Sequence, residues 1–481
     1  MLFRSISTIL LLVVLASMAN SEVVMVFEYC RHGARGSLAD LQNGSQWIKD
    51  WGVEQLTGNG MRMQHYLGKT MRTVYPSIFD KDFKPAHMEA YATNFNRTIA
   101  SGLSQFTGLF DMFQGPELQF DETDPRLQPP KLTIDPKVGF KTALPNGYTP
   151  IPIISKLNQR KMQIKRDDCP YGNERALAAK ASLGDYLMKQ PKILELIKQG
   201  AQKYGITDLS EINLKAKGKK TIDIETLFFL GDFAMQDYLH NLHPLIPKFD
   251  EGGQSQLYHQ LEAGYSLATI ARFNDTEFTS VIISEILYEI KDLMNKKISD
   301  AKYDKRFILY SGHDDMMSAL LQAIGYLDPQ CLINSLVDGE YKGCTPTPDL
   351  ASTIVWELHK ENDGHFIKVK YNADWLDFCG LYNQENEFKC TLEEFSKRID
   401  DIGRKDYKDW CIREDEKKIY LALEETWKYV SLGLLFILVI MVVVCSVLTY
   451  KLYKKTNDIS SEYLKEDDDQ YMSMATKSLA N

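Results

Sequence analysis

The stretch from Val23 to Gly36, VVMVFEYCRHGARG, constrains the chain most. Its apolar run, Val23 to Phe27, is short and rich in β-branched residues, which predicts a buried strand. The run gives way to Arg31-His32-Gly33-Ala34-Arg35-Gly36, where two guanidinium groups flank an imidazole on a loop with two glycines. Ligands of open α/β sheets sit at the carboxyl ends of strands, so this loop is placed for a site. Arginine offers a planar fork of donors to phosphate oxygens, and a neutral histidine can act as a nucleophile. The pattern points to phosphate chemistry on a histidine, although five fixed letters alone are a weak signal.

A second stretch repeats the design. Phe307 to Tyr310 predicts another buried strand, which ends in Ser311-Gly312-His313-Asp314 and leads into a helix from Met316 to Ile324. Between the two, Leu56, Met63, Leu67 and Met71 recur at helical spacing, so Gly60 to Tyr75 reads as a helix with His65 as a packing residue. Pro85 to Thr93 has weak strand character. Asn94 is positioned to cap a following helix whose first turn presents Arg97, and a helix N-terminus with an arginine makes an anion site.

Further along, Gly115 to Pro152 is rich in proline and glycine and reads as loops. Asn173 to Pro247 reads as several helices, among them Ala176 to Lys189, Pro191 to Tyr204 and Ile224 to Leu242. Together they form a helical insertion over about residues 131 to 253. His240 and His243 have metal-ligand spacing but lack a third partner, which favours a surface role. Gln254 to Arg272 and Glu277 to Lys297 read as long amphipathic helices. Ala351 to Leu358 and His365 to Tyr371 form a hairpin about Glu361 to Gly364.

Both ends carry membrane signals. Arg4, the apolar Ile9 to Ala16 and small residues near Ser21 make residues 1–21 a secretory signal peptide. Tyr429 to Tyr450 holds no charge and is long enough to cross a bilayer. Lys451, Lys454 and Lys455 follow it, which predicts a cytosolic tail, 451–481, and a luminal or extracellular part, 22–428. Within that tail, Tyr471-Met472-Ser473-Met474 has the shape of a sorting signal that an adaptor would read.

Eight cysteines fit an oxidising compartment. Cys445 falls in the span and Cys30 in the buried strand. Cys169, Cys331, Cys344, Cys379, Cys390 and Cys411 remain, and the short spacings favour Cys331–Cys344 and Cys379–Cys390, leaving Cys169–Cys411. A zinc site would want a C-x-x-C pair, which the chain lacks. Sequons stand at Asn43, Asn96 and Asn274. The net charge of −9, with no basic stripe, argues against nucleic-acid binding.

With both strand-end histidines read, the chain resembles the histidine acid phosphatases, in the branch related to lysosomal and prostatic acid phosphatases. The matching pieces are CRHGARG from Cys30, LTGNGMRMQHYLG from Leu56, ATNFNRTIAS from Ala92 and LYSGHDD from Leu309. The resemblance covers most of residues 22 to 412. It implies a mixed α/β sheet with helices on both faces and a smaller helical domain. It also implies that His32 is a nucleophile forming a phosphohistidine and that Asp314 is the acid for the leaving oxygen. Arg31, Arg35, Arg97 and His313 would hold the phosphate, with no metal and no cofactor.

Three departures stand out. Gly36-Ser37 occupies the place where the family often has proline, Tyr91-Ala92 replaces Arg-Ser, and Asp315 follows Asp314 where a hydroxyl residue is common. A second carboxylate there could shift the optimum pH or the substrate range. Asn96 shares its sequon with Arg97, so a glycan would obstruct the site. Asn43 and Asn274 are therefore the expected glycosylation sites.

The expectation is a membrane-anchored, single-pass acid phosphatase of small phosphomonoesters, in the lysosome, the endosome or at the cell surface, with room for a homodimer. The alternatives are a narrower phosphatase of inositol phosphates or lysophosphatidate, or an adhesion or receptor ectodomain without catalysis. Substrate profiling separates the first alternative, and retention of the six site positions argues against the second.

Overall fold

The computed structural model describes residues 21–42, 45–113, 117, 142–155, 169–251, 253–339, 343–344, 346–362, 364–380, 388–412 and 426–457. The expected signal peptide, the Asn43 sequon, much of the proline-rich stretch and the Tyr471 signal lie outside these residues.

Seven strands form one mixed sheet. They are β1 (Glu22–Arg31), β2 (Met88–Ala92), β3 (Phe307–Gly312), β4 (Thr353–Glu361), β5 (Gly364–Tyr371), β6 (Asp374–Leu376) and β7 (Cys390–Thr391). The order is β2-β3-β1-β4-β5-β6, with β7 beside β5. β1, β2 and β3 run parallel, pairing Arg31 with Gly312 and Ala92 with Ser311. The carboxyl ends of these three strands therefore finish level with one another. β4 to β7 add antiparallel pairs, including the hairpin that turns at Asn362 in the left-handed region.

Side chains alternate across β1. Phe27 and Tyr29 enter one core, while Val26 and Cys30 enter the other. On the first face Phe27 packs 4.8 Å from Tyr310 and edge-on to Trp356 at 5.8 Å. Such aromatic pairs contribute about 0.5–1.5 kcal/mol each beyond burial. The second face is covered by α1 (Gly58–Val74) and α2 (Asn96–Leu109), through Met71, Phe106 and Leu109. These two helices touch through glycines, since a Cβ on Gly68 would meet the Gln105 carbonyl oxygen at 2.1 Å.

The first face carries the larger helical layer: α3 (Pro170–Met188), α4 (Pro191–Lys203), α5 (Ser210–Lys217), α6 (Ile224–His240), α7 (Gln256–Ile270), α8 (Thr276–Ser299) and α9 (Asp314–Ala323). Asp223 and Thr226 form a capping box at the start of α6, and Asp275 caps α8. Their apolar residues merge with the sheet core into one cluster. Cystines join Cys169–Cys411, Cys331–Cys344 and Cys379–Cys390.

Two local expectations need correction. Asn94 does not cap α2; Phe95 occupies that position and makes no side-chain cap. His240 is not a surface residue, because its ring stacks on Trp47 at 5.0 Å and its Nε2 meets the Thr57 hydroxyl at 2.8 Å. Only His243 is exposed.

The segment after residue 411 is a separate unit. Among its described residues it holds one helix, Thr426–Asn457, long and apolar enough to cross a membrane.

Candidate active site

His32, Thr93 and His313 are the residues that follow β1, β2 and β3. Backbone bonds continue the ladder past the strand ends, from the His32 amide to the Gly312 carbonyl (3.1 Å) and from the Thr93 amide to the Ser311 carbonyl (3.2 Å). The parallel register thus brings together two histidines that lie far apart in the chain. Their rings stand 5.5 Å apart, edge to face. The loop after β1 fits only without side chains at its tightest point, because a Cβ on Gly33 would lie 2.3 Å from the Gly60 carbonyl oxygen.

The His32 Nδ1 lies 2.9 Å from the Gly33 carbonyl. A carbonyl only accepts, so Nδ1 carries the proton and Nε2 keeps the lone pair. Burial lowers the His32 pKa well below the ordinary histidine value, and the positive charges of Arg97 and Arg31 lower it further. Burial and Arg97 act likewise on His313. Both imidazoles are therefore neutral under weakly acidic conditions.

Arg31, Arg35 and Arg97 line the same cavity, of about 320 Å³, as the two histidines and Asp314. Each arginine is held by a carboxylate. Arg31 pairs with Asp314 (2.7 Å) and donates to the Pro348 carbonyl (2.5 Å) and the Tyr265 hydroxyl (2.9 Å). Arg35 makes a fork with Asp232, and Arg97 pairs with Glu54 at 3.0 Å. Arg97 also lies 4.5 Å from the Phe95 ring, which packs edge-on to His313 at 5.0 Å. Phe95 thereby seats a guanidinium and an imidazole together.

Asp314 is the first residue of α9. Burial raises its pKa, but Arg31 and a hydrogen bond from the Tyr265 hydroxyl (2.5 Å) outweigh that, so the net shift is downward. In this arrangement the carboxylate is held below the ordinary carboxyl range. His313 Nε2 meets the Thr93 hydroxyl at 2.8 Å, and Thr93 bonds Thr98, whose own hydroxyl donates to backbone carbonyls.

Every expected site position thus falls in one cavity. Sequence reading missed the supports Asp232, Glu54, Phe95, Tyr265 and Thr93. Asp232 is buried within the apolar FLGDFAM of α6, and a lone carboxylate in such a run was the available signal. Among the described residues no group of histidines, cysteines and carboxylates could hold a metal ion.

Comparison with known proteins agrees with this geometry. The histidine phosphatase superfamily (branch 2) matches residues 20–148 and 198–372, and the chain belongs to that superfamily. It is a phosphatase by family. Rat prostatic acid phosphatase is 23% identical over 399 residues, covering 81% of this chain and 88% of the relative. Putative acid phosphatase 10 of Caenorhabditis elegans is 24% identical over 413 residues, covering 78% and 89%. The structure of a Hafnia alvei phytase in complex with tartrate matches with a TM-score of 0.53 at 13% identity, covering 81% of this chain and 99% of that one, which shows the shared fold.

Proposed function

We propose that this phosphatase hydrolyses phosphate monoesters in acidic surroundings through a phosphohistidine on His32. The observation that carries the reading is the meeting of His32 and His313, 5.5 Å apart, in a cavity lined by three arginines. The Nε2 lone pair of His32 attacks phosphorus, forming a P–N bond as the bond to the leaving oxygen breaks. Arg31, Arg35 and Arg97 offset the charge that develops on the equatorial oxygens. Thr93 spends its hydroxyl proton on Thr98, so neutral His313 donates its single proton from Nε2 to Thr93 and keeps Nδ1 as an acceptor.

Asp314 supplies the proton to the leaving oxygen. A phosphoryl group competes with Asp314 for Arg31 and adds negative charge beside it. Both effects raise the proton affinity of the carboxyl, which favours turnover at low pH. In the second step the Asp314 carboxylate takes a proton from water, the water oxygen attacks phosphorus, and the P–N bond breaks.

The helix Thr426–Asn457 anchors the catalytic part to a membrane in this reading, on the luminal or extracellular side. The lysines after the apolar run and the three cystines support that orientation. The acid quench of turnover with labelled phosphomonoester tests the chemistry. Acid-labile, base-stable label on His32 is expected, and none on His32→Ala. Equal hydrolysis by both proteins would remove the histidine mechanism.

A further inference from the structure

Asp315 is the carboxylate by which this chain departs from its family, and it has a partner. Its Oδ2 accepts from Arg272 Nη2 at 3.0 Å, while Oδ1 accepts the Met316 amide at 2.8 Å. Arg272 comes from the turn Ala271–Asn274 after α7 and lies 4.9 Å from the Phe273 ring. Both residues line the cavity that holds His32 and Asp314. Asp315 follows Asp314 in α9 and, with Arg272, lines the same cavity, so the pair is available to a leaving group that Asp314 protonates.

The other cation on that side is also committed. Lys180 pairs with Glu225, which takes Lys217 at 3.0 Å as well. Apart from Asn173 and Thr269, what remains of the wall on that side is apolar. Phe228 stacks on Tyr265 with centroids 5.0 Å apart and planes 13° from parallel, beside Phe278 and Leu177. An unpaired arginine would grip a second phosphate with its fork. Here the guanidinium already holds a carboxylate, and an arriving dianion would meet the negative charge of Asp315.

We infer that the Arg272–Asp315 pair makes the leaving-group side selective for phosphate monoesters of uncharged, apolar alcohols or phenols over substrates carrying a second phosphate. The inference rests on the phosphatase reading and adds a substrate class to it. Asp315 acts by rejecting as much as by holding Arg272, a repulsive element of the kind specificity often needs.

The test compares kcat/KM for phenyl phosphate and for butanediol bisphosphate in the wild type, Asp315→Asn and Arg272→Gln, with phosphoenzyme labelling in each. The wild type should prefer phenyl phosphate. Asp315→Asn removes the negative charge that holds Arg272 and opposes a second phosphate, and should raise the bisphosphate-to-phenyl ratio about tenfold, equivalent to ~1.4 kcal/mol. Arg272→Gln leaves Asp315 unpaired and should lower that ratio, so the two variants move in opposite directions. Should one fail to fold, the sign of the other still decides. Equal losses on both substrates with His32 still labelled would overturn the role of the pair and leave the histidine chemistry standing. Absence of label in the wild type would overturn the chemistry itself.

Discussion

Arg35 and Asp232 meet as two forks, Nη2 to Oδ1 at 2.7 Å and Nη1 to Oδ2 at 3.3 Å, with both side chains almost wholly buried. Arg35 belongs to the loop after β1 and Asp232 to the middle of α6. The contact therefore joins the helical layer to the loop that carries His32. Asp232 also accepts the Leu38 amide at 2.8 Å, fixing the loop from a second side.

Asp232→Ala leaves the Arg35 charge buried without a partner. Breaking a buried pair in this way costs about 3–5 kcal/mol. Urea denaturation should show that loss, and KM for phosphomonoesters should rise as the loop loses its tie. Asp232→Asn keeps one acceptor oxygen for the guanidinium and should lose less on both measures.

The neutral state of His32 depends on burial first and on Arg97 second. A nucleophilic histidine loses activity when protonated, so a lowered pKa sets the acid limb of kcat/KM well below the ordinary histidine value. Arg97→Gln removes a positive charge and should raise the His32 pKa, because the protonated form is then less opposed. The acid limb should move toward neutral pH. The limb position is the diagnostic measurement, since loss of a phosphate contact alone lowers the whole profile without displacing it.

Much of this site is legible in the sequence because strand ends carry local signals. The apolar run before Arg31 and its counterpart before His313 each announce a buried strand, and parallel pairing then sets both histidines at one edge. The residues that hold the arginines are less visible. Glu54 is one carboxylate on a loop, and Tyr265 is an aromatic in an apolar helix, so each looks ordinary until the fold brings it to a guanidinium. The same reason explains the misplaced cap, since Asn94 has cap chemistry while Phe95 is held by its packing against Arg97 and His313.

Cystine removal should be unequal. Cys169–Cys411 closes a loop of 242 residues, whereas Cys331–Cys344 closes one of 13. A longer loop removes more entropy from the unfolded chain, and loss of a native cystine typically costs about 2–5 kcal/mol. Paired Cys→Ala variants should show the larger drop in melting temperature for Cys169 with Cys411. A larger drop for the short loop would place its effect in local geometry instead.

Glycan placement follows from exposure. Asn274 is exposed beside the start of α8. Asn96 donates to the Gln55 side chain at 3.2 Å, and the hydroxyl of Thr98 in its sequon is engaged within the buried site. Peptide mass mapping of secreted protein should find carbohydrate at Asn274 and none at Asn96. Sugar at Asn96 on active enzyme would mean that the approach to Arg97 is wider than this arrangement allows.

The Tyr265 hydroxyl couples Asp314, the proposed proton donor, to Arg31, because it accepts from Arg31 and donates to Asp314. Tyr265→Phe keeps the ring that stacks on Phe228 and removes only that bridge. A hydrogen bond to a charged group contributes about 1.5–3 kcal/mol, so kcat/KM should fall roughly 10- to 100-fold. The hydroxyl helps to lower the Asp314 pKa. Its loss should raise that pKa, and the basic limb, where the donor must hold its proton, should move to higher pH. A rate loss with the basic limb unmoved would confine Tyr265 to positioning Arg31.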